Sequence, residues 1–275
     1  MSRIPLVTGA DEEAAWQAAQ CVVEVHRRLS GFLREGQTLA EIDAFVGGTL
    51  ADIDCRSCFL GYRVPKTPPF PSHACLSVNE CIVHGTAGYT SEPLKAGDLL
   101  SVDIGVWHRG WIGDAAWTYA MVERSDEAAR LMHAGRDSIS AGVAELKPGS
   151  KLVEWARTVQ RVVEAEAGFH LTRGLGGHGY GRSLHGPPFV SNVVPALGSF
   201  GEWPDGSLVL EPGMLMAVEP MLAVGTGQTR SEPKSWPVFT ADGSLSVHYE
   251  HDVLVTAEGP RVLTEGLDAL PEIVG

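Results

Sequence analysis

The sequence predicts a fold of mixed helices and strands, assembled from two copies of one helix-pair-and-strands unit. Three observations predict it. Helical periodicity and strand-like runs succeed one another in the order helix pair, strands, helix pair, strands. Residues 94–103 (LKAGDLLSVD) match residues 210–219 (LEPGMLMAVE). Within that match, Gly97 and Gly213, and likewise Asp103 and Glu219, stand 116 residues apart. A chance likeness between two strands that each follow a Gly turn is the competing explanation.

The elements follow from local patterns. From Asp11 to about Arg34, Trp16, Ala19, Val23, His26, Leu29 and Phe32 recur near one helical face, and Gly36 stops the run. Thr38 with Glu41 forms a capping box ahead of Ile42, Phe45 and Val46. A loop over 64–71 holds four prolines. Strands are expected over 74–83, 98–107 and 114–122, the last two joined by a turn over 108–113 into a hairpin. Ser125 introduces a helix over 127–146 that Pro148 and Gly149 end, and Ser150 opens another over 151–166. Strands over 214–224 and 245–256 close the chain. The 275 residues allow one large domain or two small ones; a single unit over 1–275 is expected, with repeats over about 11–124 and 125–265.

Composition excludes several classes of function. Apolar residues at 44% and charged residues at 20% describe a globular chain, not a disordered or fibrous one. A net charge of −13 opposes nucleic acid as the main partner, since phosphate binding needs a basic face. No run approaches the length of a membrane span, and residues 1–10 carry no apolar signal segment, so a soluble, cytoplasmic protein is expected. A monomer is expected as well. The five cysteines (21, 55, 58, 75 and 81) are odd in number and read as buried or pocket-lining thiols. Cys55 and Cys58 have the spacing of a redox pair or half a zinc site, but no second such pair follows. His26, His73, His108, His133 and His170 read as surface or capping residues.

Carboxylates stand where strands should be apolar. Asp103 lies within 99–107, Asp114 opens the paired strand, Glu219 lies within 214–222, and Glu250 precedes Val253. Burying an unpartnered carboxylate costs several kcal/mol, so each needs a cation. A hairpin brings Asp103 and Asp114 into lateral contact. Singly, each is most simply a salt-bridged residue; the joint, pseudo-symmetric pattern points to a metal. His178, set among Gly176, Gly177, Gly179 and Gly181, can approach a crowded centre, and His84 and His185 are further polar candidates. Gly174, Gly176 and Gly179 formally match a dinucleotide fingerprint. Pro187 and Pro188 forbid the required helix, and no acid follows at the required distance (Ser199 stands there, with Glu202 nearest), so that reading is rejected. One imidazole and four carboxylates favour Mn, Fe, Co or Zn, and bridging carboxylates suit a pair of ions that activates water. No serine-nucleophile elbow, zincin or P-loop motif is present. Metal-assisted hydrolysis is the reaction class these residues allow.

Residues 77–85 (SVNECIVHG), Val102 to Gly105 with Gly113 and Asp114, 177–181 (GHGYG), 217–220 (AVEP) and 249–251 (YEH) are similar, in order, to the motif series of type I methionine aminopeptidases. The resemblance spans about residues 11–265. It implies the pita-bread fold, an α+β domain with an internal pseudo-twofold axis. It implies two divalent ions on Asp103, Asp114, His178, Glu219 and Glu250, with Asp114 and Glu250 bridging and Glu219 doubling as general base. By the same resemblance His84 contacts the peptide nitrogen, His185 stabilises the oxyanion, and Tyr62, Cys75, Leu184 and Trp236 line the methionine pocket. The partners implied are nascent or short peptides with N-terminal Met, with transient ribosome contact left open. The chain departs from the family pattern at Gly186 (usually Glu), Leu184 (commonly Phe), Asp252 (usually Thr) and in a small insertion over 66–71. Proline-directed peptidases share the five ligands but carry an added N-terminal domain, whereas about 100 residues precede Asp103 here. Non-catalytic relatives of the fold lack several ligands.

Overall fold

The computed structural model describes residues 4–195 and 203–275; Met1, Ser199 and Glu202 lie outside the described residues. Helices α1 (Ala10–Phe32) and α2 (Leu39–Asp52) lead into β1 (Arg56–Ser57), β2 (Cys75–Val78), β3 (Cys81–Val83), β4 (Leu99–His108) and β5 (Trp111–Met121). A second helix pair follows, α3 (Asp126–Val143) and α4 (Val153–Gln160). The remaining strands are β6 (His170–Leu171), β7 (Gly176–Gly179), β8 (Gly186–Ser191), β9 (Leu215–Val218), β10 (Met221–Ala223), β11 (Thr229–Ser231), β12 (Val238–Thr240), β13 (Ser246–His248), β14 (His251–Thr256), β15 (Gly259–Val262) and β16 (Ile273–Val274). Helices and strands fall in the order the sequence predicts.

The caps form as read. Thr38 accepts from the Glu41 amide while the Glu41 carboxylate accepts from the Thr38 amide, and Ser125 accepts from the Ala128 amide. Helix α1 buries Ala15, Ala18, Ala19, Val22, Val25, His26 and Leu29. Trp16, Val23 and Phe32 sit at the edge of that face, half-buried. Small residues line the inner face because the helix nearly touches the sheet: a Cβ on Gly113 would lie 2.5 Å from the Ala18 carbonyl oxygen. Helix α4 begins at Val153, not 151, and its last turn, Arg161–Glu166, is wound as a π-helix.

One sheet has the order β1-β4-β5-β16, with β2 also on β4; the other larger sheet runs β15-β14-β9-β7-β8. The β4–β5 hairpin turns on Arg109 and Gly110 alone, both at positive φ (48° and 90°), so Ile112 and Gly113 belong to the strand and not to the expected longer turn. Three strands expected to be continuous are broken. The break in 74–83 falls at Asn79 (φ 54°), that in 214–224 at Glu219 and Pro220, and that in 245–256 at Tyr249 and Glu250. At each break the chain leaves one sheet and enters another. Pro220 has no amide hydrogen to continue a ladder, which explains the second break.

Gly97 and Gly213 both adopt positive φ (88° and 95°). The Gly97 amide donates to Met121 and the Gly213 amide to Val255, each near the end of the neighbouring long strand. His26 is not a surface residue: it is fully buried, donates from Nε2 to the Ala115 carbonyl and accepts at Nδ1 from the Tyr119 hydroxyl. All five cysteines are free; Cys55, Cys75 and Cys81 are buried, Cys21 and Cys58 half-buried. No helix among the described residues is long and apolar enough to cross a membrane.

Candidate metal centre and its cavities

Four carboxylates and an imidazole meet where β5 lies beside β14. Asp103 and Asp114 share one face of the hairpin but are not directly opposite: Asp103 pairs with Ala116 and Asp114 with Gly105. The two-residue turn sets this register and leaves the acids diagonal, still within reach of one point. Glu219 and Glu250 are not within strands. They occupy two of the breaks, Glu219 just after β9 and Glu250 just before β14, where the Glu250 amide donates to Ala116 across the sheets.

His178 arrives on β7, between β9 and β8. A Cβ on Gly177 would lie 2.2 Å from the Ala217 carbonyl oxygen, and one on Gly179 2.0 Å from that of Pro187. The flanking glycines therefore permit a strand approach that no side chain allows, as the sequence suggested. His178 Nδ1 donates to the Gly179 carbonyl at 3.2 Å. Its Nε2 lone pair consequently faces Asp114 Oδ2 at 3.9 Å and Glu219 Oε1 at 3.8 Å.

These atoms are acceptors pointed at acceptors. Asp103 Oδ1 and Asp114 Oδ1 are buried with no hydrogen-bond partner. Burial pushes the carboxyls of Asp103, Asp114, Glu219 and Glu250 well above the usual carboxylate range, and their mutual repulsion pushes the same way. A divalent cation converts that repulsion into attraction, and the oxygen-rich donor set fits one. Asp114, His178 and Glu250 offer donor atoms within 4.8 Å of one another, as do Glu219, His248 and Glu250.

His248 was not singled out from the sequence. It is buried, donates from Nε2 to Glu219 Oε2 at 3.1 Å, and lies 4.0 Å from Glu250 Oε2. Its position two residues before Glu250 is the one signal that marked it, since alternate residues of an extended run share a face. Asp252 read only as a departure from the family pattern. It is fully buried and accepts the Asp114 amide at 2.8 Å, and burial followed by the Asp114 charge pushes its carboxyl up.

All eleven residues selected from the sequence line one cavity of about 340 Å³: Tyr62, Cys75, His84, Asp103, Asp114, His178, Leu184, His185, Glu219, Trp236 and Glu250. Phe59, Val64 and Phe70, not selected, complete its apolar wall. The proline-rich loop builds that wall: Trp236 donates to the Pro68 carbonyl at 2.9 Å, and Phe70 meets Trp236 edge-on at 5.2 Å between ring centres. A second hollow of about 580 Å³ shares His84, Asp103, His178, His185 and Glu219, and runs out past Gly174, Phe189 and Met221. The Tyr62 hydroxyl and His185 Nδ1 share a hydrogen bond of 2.7 Å. Burial lowers both imidazoles, His84 to about 4, with the His185 charge adding to it.

This fold and centre define a metallopeptidase: residues 13–257 match metallopeptidase family M24, and the chain belongs to that family. The family implies use of divalent metal, which the acceptor cluster fits. The chain is 35% identical over 268 residues to the methionine aminopeptidase 1 of Mycobacterium tuberculosis, covering 96% of each. It is similar to the crystal structure of methionine aminopeptidase from Rickettsia prowazekii, with a TM-score of 0.87, 27% identity, and 95% of this chain and 100% of that one covered. The expected pita-bread fold is the one found. A Xaa-Pro dipeptidase from Bacillus anthracis shares the fold at a TM-score of 0.72 and 20% identity, with 98% of this chain covered but only 64% of that longer one.

Proposed function

We propose that this chain is a methionyl aminopeptidase, removing N-terminal methionine from new proteins and peptides whose second residue is small. One observation carries the reading: the acceptor cluster sits where a smaller cavity walled by Phe59, Tyr62, Phe70 and Trp236 meets a larger hollow, and His84 and His185 line both. A peptide bond placed at that junction has its first side chain in the smaller, aromatic-walled cavity and its remainder in the larger hollow. Asp103, Asp114, His178, Glu219 and Glu250 would hold two divalent ions (Co, Mn, Fe or Zn). Bound there, such ions supply an acidified water and polarise a carbonyl.

The protein's own groups supply the rest. Glu219 is the proton acceptor: its Oε2 is occupied by the His248 N–H, which leaves Oε1 on the side of His178. With Tyr62 donating to His185 Nδ1, the ring proton is on Nε2, and as a donor it suits the oxyanion. His84, neutral at pH 7, contacts the peptide nitrogen. Tyr62, Cys75, Leu184 and Trp236, with Phe59 and Phe70, receive the methionine side chain. Duplication of residues 11–124 and 125–265 accounts for the paired acids, and the matching turns at Gly97 and Gly213 support it. Nascent chains at the ribosome are the natural source of substrate, and a cytoplasmic monomer suffices for it.

Cleavage of Met-Gly-x and Met-Ser-x peptides, against Met-Lys-x and x-Pro-x peptides, with and without chelator, tests the reading. The first two should be cleaved, and only with metal present. Preference for x-Pro-x, or full activity after exhaustive chelation, refutes it.

A further inference from the structure

Away from the carboxylate centre, two thiols and an imidazole, from α1, the residue before β1 and the end of β4, meet at the edge of the first sheet. β1 runs antiparallel to β4 with Arg56 opposite Trp107, so Cys55, one residue back, comes to face His108, one residue on. Cys55 Sγ lies 3.2 Å from His108 Nδ1. Cys21 reaches the same point from α1, which packs over β4, and the three donor atoms lie within 4.8 Å of one another. Cys55 is buried, Cys21 and His108 are half-buried, and the thiols are free. A hydrogen bond from Cys55 holds the Cys21 thiol below its ordinary range, with the Arg109 charge assisting, while Cys55 itself is pushed up.

We propose that Cys21, Cys55 and His108 bind one zinc-type ion, at a site separate from the carboxylate centre. Two thiolates and an imidazole select borderline ions over the hard ions that carboxylates also accept. The thiol protons pass to solvent as the ion binds. Three protein ligands leave one tetrahedral position. It opens on a hollow of about 390 Å³ lined by Cys21, Glu24 and His108. Arg27 and Arg28 engage Glu24 at 2.7 and 2.6 Å, so water takes the fourth position. Two thiolates and a divalent ion sum to zero charge, which lets the ion sit beside Arg109. Cys58, the natural partner of Cys55 by spacing, lies outside the cluster. Instead its amide donates to Gly105 at 2.8 Å, in the segment that goes on to Phe59 and Tyr62 of the methionine pocket.

The test uses reduced, chelator-stripped protein loaded with Co²⁺ or Zn²⁺, as wild type, Cys21→Ser, His108→Ala and the double variant Asp114→Asn with Glu250→Gln. A near-ultraviolet thiolate-to-cobalt charge-transfer band is expected in the wild type and in the double variant. It should be absent from Cys21→Ser and His108→Ala. Those two should bind one equivalent of zinc less than wild type and still cleave Met-Gly-x peptides at the wild-type rate. Lack of the band in wild type, or equal zinc content in wild type and His108→Ala, overturns the proposal. Isolation from a reducing host as a Cys21–Cys55 disulfide does so too. If the double variant does not fold, the comparison of wild type with His108→Ala decides the question alone.

Discussion

Tyr62 lines the apolar cavity and also holds His185, and Tyr62→Phe separates the two roles. The substitution deletes one hydroxyl and keeps the ring, so the cavity wall is unchanged. What is lost is the 2.7 Å bond to His185 Nδ1, which in the proposed mechanism holds the ring proton on Nε2. A net hydrogen bond at a partly exposed position is worth about 1 kcal/mol. Converted to rate, that is about fivefold, and competition from the wrong imidazole tautomer carries the loss toward about tenfold. The expected outcome is a kcat reduced about five- to tenfold with KM for Met-Gly-x nearly unchanged, because the methionine side chain still meets the same ring. Tyr62→Ala, which removes the wall as well, should raise KM in addition. The assay is steady-state kinetics on Met-Gly-x peptides, with metal content measured on the same samples. Two results refute the reasoning. A raised KM with wild-type kcat in Tyr62→Phe makes the residue a wall only; a loss beyond about a hundredfold means that the hydroxyl meets the reacting atoms itself.

Glu219→Gln should lower kcat by about 10²–10⁴-fold, because a carboxamide accepts no proton; unaltered turnover on Met-Gly-x peptides removes Glu219 from that role. Burial lowers His26 from 6.5 to about 4, so between those values the unfolded chain takes up a proton that the folded chain refuses. Its contribution is whole above pH 6.5, shrinks as pH falls and reaches a full loss of about 3 kcal/mol below pH 4. Urea titrations from pH 7 to 4 should show a shallower decline in His26→Gln, and equal declines refute the assignment. Gly177→Ala places a Cβ 2.2 Å from the Ala217 carbonyl oxygen, a contact between backbones that neither side can relieve by rotation. Moving β7 away should cost about 1–3 kcal/mol and weaken metal binding through His178, so wild-type melting and metal content together contradict it.

Much of this protein was legible in sequence because its signals are short-range. Capping at Thr38 and Ser125, the alternation of helix pairs and strands, and the glycines around His178 each express physics that operates within a few residues. The four acids stood out for a related reason: a carboxylate inside an apolar run is locally anomalous wherever the rest of the chain lies. Tertiary structure decided what depends on partners far along the chain. Pro220 was visible, but only the second sheet shows that Glu219 occupies a crossing between sheets and not a strand. His26 sits in an ordinary helical pattern, and only Ala115 and Tyr119, 89 and 93 residues away, make it a buried neutral base. His248 gained its place from Glu219, 29 residues upstream. Cys55 found Cys21 and His108 in place of its sequence neighbour Cys58. The apolar cavity closed on Phe59 and Phe70 because a loop of four prolines, with no periodicity to read, folds over Trp236. Periodicity records which face a residue presents to the core; which distant group meets it there is set only when sheets and helices pack.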